Sequence, residues 1–313
     1  MRKIEKLRKE YMSYGKWYYH LVLDSLGEQN LLNTRDQCVN AMNTVAIAQY
    51  LYGTKIVQFD WMRNHGHFTL YADGIQCCHT FDYYRKRLNR RLLEDGYPPI
   101  PANWFFRLRR LNSINDLQIA VSYSGRNSYD ARNDILPSGY LWSSNYLLFS
   151  DISELLEYKT IGEYSAREVS RLLRSDVALP SGYKVGKLGF ILPESYLMKA
   201  DGGLMTKAQS LYKDSKDYTY RLFRDYDTYR KAASDVGETW SPSGQDVDSL
   251  IDNLLSYGYG VNDLRELDYD KKCDLAVRLL RDYGLDSEDV SSRLKLSRSA
   301  VSRLLYSYNK KKR

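Results

Sequence analysis

Cysteine is scarce in this chain. Four occur in 313 residues, at Cys38, Cys77, Cys78 and Cys273, with no paired spacing. That excludes a disulfide framework or a zinc knuckle as the basis of the fold. Nowhere do about 20 apolar residues run consecutively, the length a membrane-spanning helix requires, so no membrane partner is expected. The first ten residues are charged and offer no apolar signal core, which makes the cytoplasm the expected compartment. Histidine is equally rare, with four in all, and acid is missing altogether from residues 290–313, where eight Lys or Arg stand. What is present is 43% hydrophobic and 27% charged, the balance of a globular chain with a core. The length suits two or more domains of about 100–200 residues.

The net charge of +7 is modest, but the excess is concentrated. Besides the acid-free tail, Arg85, Lys86, Arg87, Arg90, Arg91, Arg107, Arg109 and Arg110 stand against only Glu94 and Asp95. Two such clusters suit a polyanion, although solvated faces produce the same pattern. Tyrosine is the other excess, at 29 residues against 8 Phe and 5 Trp. Aromatic rings with a polar tip can stack on bases, and a compositional habit of the source genome gives the same count.

Residues 15–24 are aromatic and β-branched and predict a strand. Cap chemistry at 33–36 precedes Cys38, Ala41, Met42, Val45 and Ala46, the i, i+3, i+4, i+7, i+8 series of an amphipathic helix. Residues 55–61 predict a second strand, Arg63-Asn64 a tight corner and 65–71 a returning strand. A basic helix follows over 77–93, and after a Pro-rich stretch another helix over 114–129. Strand, helix, strand, strand, helix, helix implies an α+β domain whose antiparallel sheet has helices packed on it. Residues 151–262 read as mostly helical, with connectors at 179–182 and 241–244. Near the C-terminus, Leu275, Leu279 and Leu280 share a helix face that stops at Tyr283-Gly284. A short helix over 287–294, a turn and a third helix over 298–308 have the shape of a helix-turn-helix. Arg298, Ser299, Ser302 and Arg303 would face DNA, with Val301 and Leu304 or Leu305 packed behind.

The residues that could carry chemistry are few. His65 and His67 lie two apart on a strand, so both imidazoles point to one face and can meet one metal ion. Tyr123 and Asn127 lie four apart on a helix and likewise share a face, offering a hydroxyl nucleophile and an amide ligand. His20 and His79 are left to packing.

At these residues the chain resembles the HUH-type single-tyrosine transposases, especially the REP-associated tyrosine transposases. Met62-Arg-Asn-His-Gly-His67 is similar to that family's Met-Pro-Asn-His-hydrophobic-His motif. Ala120-Val-Ser-Tyr-Ser-Gly-Arg-Asn127 is similar to its Tyr-x-x-x-Asn helix, and Pro137-Ser-Gly-Tyr-Leu-Trp-Ser-Ser144 to its Pro…Tyr-x-Trp-Ser-Ser segment. Arg63 replaces the usual Pro, and Gly66 replaces a bulky apolar residue, which removes an expected core anchor from the strand.

The resemblance implies a ferredoxin- or RRM-like HUH domain over 14–150, followed by a helical region over 151–262 and a helix-turn-helix with a basic tail over 263–313. It implies that His65, His67 and Asn127 hold Mg²⁺ or Mn²⁺ while Tyr123 attacks phosphorus, leaving a 5′-phosphotyrosine and a free 3′-hydroxyl. The basic residues at 85–110 would grip single-stranded or hairpin DNA. No nucleotide cofactor is expected, because the covalent link conserves the phosphodiester energy, and a second copy of the chain is an admissible partner. An inert DNA-binding regulator and a hydrolytic metal-dependent nuclease are the alternatives.

Overall fold

The structure, a computed structural model, describes residues 2–23, 30–101, 103–131, 135–150, 159–174, 188–200, 203–224, 226–237 and 244–311. Contacts divide the chain into two compact units, Met1–Leu222 and Phe223–Arg313. Neither boundary expected from sequence, near 150 and near 262, coincides with this one. No boundary falls near 150 because Ile161, Tyr164, Val169, Leu172 and Ile191 pack against Ala46 and Ile47 of the same unit.

Four strands form the central sheet of the first unit: β1 (Trp17–Leu23), β2 (Lys55–Trp61), β3 (Gly66–Ala72) and β4 (Phe106–Arg110). Their spatial order is β2-β3-β1-β4, with every neighbouring pair antiparallel. With α1 (Arg2–Met12), α2 (Arg35–Tyr52), α3 (Gly74–Glu94) and α4 (Ile114–Ala131), the chain runs β1-α2-β2-β3-α3-β4 through the sheet. This is a split β-α-β arrangement, with β3 inserted between β1 and β2.

Side-chain parity sorts the two faces of the sheet. Tyr19, Leu21, Leu23, Phe59, Trp61, Phe68, Leu70, Phe106 and Leu108 enter one core with residues of α2 and α3. Their alternates, among them His20, Asp60, His67, Thr69, Arg107 and Arg109, point to the opposite face. There α4 packs on β2 and β3. Caps fix the helices: the Thr34 side chain accepts from the Gln37 amide, Gly53 ends α2 at φ +65°, and Asp73 and Gln76 form a capping box on α3.

The α+β class with helices on an antiparallel sheet agrees with the sequence reading. Two elements differ: the fourth strand, β4, which the sequence marks only as a basic cluster, and α1, which the sequence reading does not include. The region 151–262 is mostly helical in its described residues, as expected, with short strands among them. Among its described residues, β5 (Lys159–Thr160) pairs with β6 (Ile191–Leu192), and β7 (Leu197–Ala200) forms a hairpin with β8 (Gly203–Thr206). Its helices are α5 (Ala166–Arg174), α6 (Ser215–Arg224), α7 (Tyr226–Asp235) and α8 (Gly244–Asn253). The connector at 179–182 lies outside the described residues, as does that at 241–244 except for Gly244.

The second unit ends in α9 (Tyr269–Asp282), α10 (Ser287–Leu294) and α11 (Arg298–Lys311), which pack pairwise on one another. Leu275, Leu279, Val290, Leu294 and Val301 are buried there. Asp268 and Asp286 cap α9 and α10, and Lys295 ends α10 in the left-handed region at φ +54°. Among the described residues no helix is long and apolar enough to cross a membrane.

Candidate active site on the helix-covered sheet face

The β2–β3 connection is closed by the Met62 amide donating to the His65 carbonyl at 2.9 Å. The Arg63 carbonyl ties this turn to the neighbouring loop by accepting from the Leu31 and Leu32 amides at 2.7 and 2.9 Å. A carbonyl is what proline would also supply, so arginine at this position keeps the anchor. Gly66 does not leave the strand slack. A Cβ there would lie 2.8 and 3.0 Å from carbons of the Trp61 ring and 3.1 Å from Phe68. Trp61, its cross-strand partner, fills the space and supplies the missing anchor.

The structure brings His65, His67 and Tyr123 together from distant parts of the chain. The rings of His65 and His67 are 5.0 Å apart and perpendicular, and those of His67 and Tyr123 are 5.6 Å apart. His65 is half-buried, and its Nδ1 bonds Asn64 Oδ1 at 2.7 Å. A cavity of about 800 Å³ opens at His65, lined also by Arg35, Arg63, Asn64, Tyr140 and Trp142. His67 and Tyr123 are enclosed, at 0% and 3% exposure.

Two residues at this site carry no local signal in the sequence. His20 on β1 is buried, with Nε2 3.1 Å from His67 Nδ1 and 3.4 Å from Ser124 Oγ. Only if His67 Nδ1–H donates and His20 Nε2 accepts does His67 Nε2 keep a lone pair for a ligand. Burial, then Arg109 and Arg107, push the His20 imidazole down to about 3. Burial, with His65, His20 and Arg107 adding to it, also holds His67 well below the usual imidazole range. Asp60 stands directly across from His67 on β2 and is fully buried. Neither of its carboxyl oxygens has a hydrogen-bond partner of ordinary geometry. Burial drives that carboxyl well above the usual range, and Ser128 offsets this only in part.

Helix α4 is held from both sides. Ser122 shares a hydrogen bond with the Tyr212 hydroxyl at 2.7 Å, and Gln118 donates to the Leu211 carbonyl at 2.6 Å. Arg126, itself buried, donates to the Leu222 carbonyl at 3.0 Å and pairs with Asp130 at 2.9 Å. The Pro137–Ser144 segment braces the edge of β2. Tyr140 donates to the Trp61 carbonyl at 2.7 Å, the Ser144 amide donates to the Phe59 carbonyl at 3.0 Å, and Asn145 donates to the Gly125 carbonyl at 3.0 Å.

Asn127 is half-buried on α4, and its Nδ2 is buried without a hydrogen-bond partner. Turning the amide over would present its oxygen at the same place. The two imidazoles and this amide therefore fit a divalent cation in donor type. Of the two cations expected, Mn²⁺ suits an imidazole pair better than Mg²⁺, which favours an oxygen octahedron. Among the described residues no group of three or more His, Cys, Asp or Glu is placed to hold a metal, so the amide or water must complete any such site.

The basic residues do not form one patch. Arg107 and Arg109 lie on the His20–His67 face, whereas Arg85, Lys86, Arg87, Arg90 and Arg91 belong to α3 on the other side of the sheet. Arg90 pairs with Glu94 at 3.0 Å and Arg91 with Asp95 at 2.8 Å. Arg85 donates to the Pro101 carbonyl at 3.2 Å, and Arg87 is buried with its cation 6.0 Å from the Tyr83 ring. Lys86 is exposed, and the exposed Arg110 lies 5.5 Å over the Trp17 ring. On α11, Arg298, Ser299, Ser302 and Arg303 are exposed, Val301 is buried and Leu304 half-buried. The Leu305 side chain lies outside the described residues. Arg298 pairs with Glu288, and Arg303 donates to the Ser299 carbonyl at 3.2 Å. No family model, curated protein or solved structure compared with this chain matches it.

Proposed function

We propose that this chain is a DNA strand transferase, a metal-dependent transposase or single-strand nickase that cuts and rejoins DNA through Tyr123. The observation that carries this reading is the convergence of His65, His67 and Tyr123, with ring separations of 5.0 and 5.6 Å. The β-α-β-β-α-β sheet order supports a ferredoxin-like HUH domain. The exposed row on α11 over buried Val301 supports a helix-turn-helix reader of duplex or hairpin DNA.

In the proposed chemistry Tyr123 Oη forms a bond to phosphorus as the P–O3′ bond breaks. The phenolic proton leaves to solvent or a base, and the departing 3′ oxygen takes one up. A free phenol ionises near pH 10, so deprotonation accompanies the attack. A divalent cation held by His65, His67 and Asn127 would polarise the scissile phosphate. His20 fixes the ring of His67, and Arg107 and Arg109 add positive charge on the same face. The phosphotyrosine keeps the energy of the broken bond, so a 3′-hydroxyl can reverse the step without a nucleotide cofactor.

One observation favours a second reading, a DNA-binding regulator that does not cut: His67 and Tyr123 are enclosed between the sheet and α4. Incubating the chain with end-labelled single-stranded and hairpin DNA and Mn²⁺ separates the readings. A covalent protein–DNA band on a denaturing gel is expected. Cleavage without that band makes the chain a hydrolytic nuclease, and binding without cleavage makes it a regulator.

A further inference from the structure

The cavity at His65, of about 800 Å³, has the size of a small-ligand site. Its wall carries two guanidinium groups, Arg35 from the first turn of α2 and Arg63 from the β2–β3 connection. Both side chains are exposed. No carboxylate lines the cavity among the described residues, and Asp36, beside Arg35 in the chain, pairs instead with Arg91 at 3.9 Å. Burial pushes the thiol of Cys38, on the same wall, up to about 11, and Arg63 and then Arg35 pull against it. The two cations therefore act on one part of the wall.

Two aromatic residues stand beside these cations, Tyr140 and Trp142. The Arg35 guanidinium lies 5.6 Å from the Trp142 ring centroid, a cation–π contact that restrains a long, exposed side chain at the cavity. Phe190 packs against Trp142 at 5.6 Å, and Tyr140 is fixed by donating to the Trp61 carbonyl at 2.7 Å. Both rings are thus set walls, and Trp142 is the seat of a cation. Paired guanidinium groups beside aromatic walls match a nucleotide, whose phosphate accepts charge-assisted hydrogen bonds and whose base is a flat body. An apolar ligand would leave both cations unused, and inorganic phosphate would leave most of the cavity unfilled.

We propose that this cavity seats the nucleotide next to the scissile phosphate of a DNA single strand, with Arg35 and Arg63 on that nucleotide's own phosphate and Tyr140 and Trp142 walling its base. The proposal rests on the strand-transfer reading, in which His65 helps hold the cation on the scissile phosphate. It deepens that reading by naming the residues that set the register of the strand at the cut.

The test is equilibrium binding of a labelled oligothymidylate of about 16 nucleotides by Tyr123→Phe chain in EDTA, where neither cation nor nucleophile enters the readout. Arg35→Gln and Arg63→Gln should each weaken binding about tenfold, the scale of one hydrogen bond to a charged group. The double variant should lower the salt slope by about 0.7, the share of one phosphate on a single strand. Both side chains are exposed, and Arg63 anchors its turn through a carbonyl that Gln keeps, so the variants fold; circular dichroism checks this. With one 4-thiothymidine in the strand, irradiation should link its base to Tyr140 or Trp142, and the double variant should lose that link. Unchanged affinity and slope in the folded double variant, or links that fall only outside the cavity, overturn the proposal. So does thymidine 5′-phosphate binding more tightly than the oligonucleotide, which would mark a site for free nucleotides. A parent chain that keeps the link to the cavity but forms no covalent adduct with Mn²⁺ strikes the strand-transfer reading alone.

Discussion

Restoring a bulky residue between the two histidines should harm this chain. Gly66→Val places a Cβ 2.8–3.1 Å from Trp61 and Phe68, closer than carbon atoms pack, before its two methyl groups are counted. Trp61 is 1% exposed and meets Phe68 and Tyr84 at centroid distances of 5.1 and 6.0 Å, so its ring has nowhere to swing. Overpacking of this kind costs about 1–3 kcal/mol. Removing glycine from a strand returns about 0.5–1 kcal/mol. Overpacking wins, and a net loss of about 1–2 kcal/mol follows, or some 2–8 °C in melting temperature for a unit of this size. Tryptophan fluorescence during urea unfolding reports on this unit, since Trp17, Trp61, Trp104 and Trp142 all lie in it. With Trp61→Leu as background the same Gly66→Val change should become neutral or favourable. Equal effects in both backgrounds would refute the claim that Trp61 fills the glycine's place.

Folded metal-free chain holds His20 neutral down to about pH 3, whereas the unfolded chain protonates it near 6.5. The unfolded state binds the extra proton between those values, so stability falls as pH drops from about 6.5 towards 3. His20→Asn should flatten this limb in part, because His67 contributes with the same sign; an unchanged slope of urea midpoint against pH contradicts the buried neutral imidazole. Lys295→Gly relieves a left-handed backbone and should slow hydrogen exchange of α10 and α11 amides about 2- to 5-fold, with faster exchange as the contrary result. Replacing Arg298 and Arg303 by Gln should reduce the salt slope of duplex binding by about 1–2, and an unchanged slope would place α11 off the DNA.

Much of the first unit is legible in the sequence because most of its elements are long and bounded by cap or corner residues. The strand expected over 55–61 stands there, and the helix expected over 114–129 runs on to Ala131. β4 carries little strand signal because Arg107, Arg109 and Arg110 dominate a five-residue strand whose Phe106 and Leu108 alone show the alternation. The two- and four-residue strands between 159 and 206 are too short to carry a period. His65, His67 and Tyr123 could be singled out because each sits in a local motif. His20 and Asp60 could not. Their place beside His67 arises from pairing of β1 and β2 with β3, a long-range register that no local spacing encodes. The closure of the site by Tyr212 and Leu222, some 90 residues beyond Ser122 and Arg126, is equally non-local.

The central claim is that one tyrosine among 29 is the nucleophile. Its most direct test is to trap the adduct with Mn²⁺ and single-stranded DNA, digest protein and DNA, and find by mass spectrometry which peptide carries the nucleotide. The account predicts a 5′-phosphonucleotide on Tyr123, and no adduct from Tyr123→Phe chain that still folds and binds DNA. A nucleotide on any other tyrosine, such as Tyr129 or Tyr71, or an adduct that survives Tyr123→Phe, would contradict it.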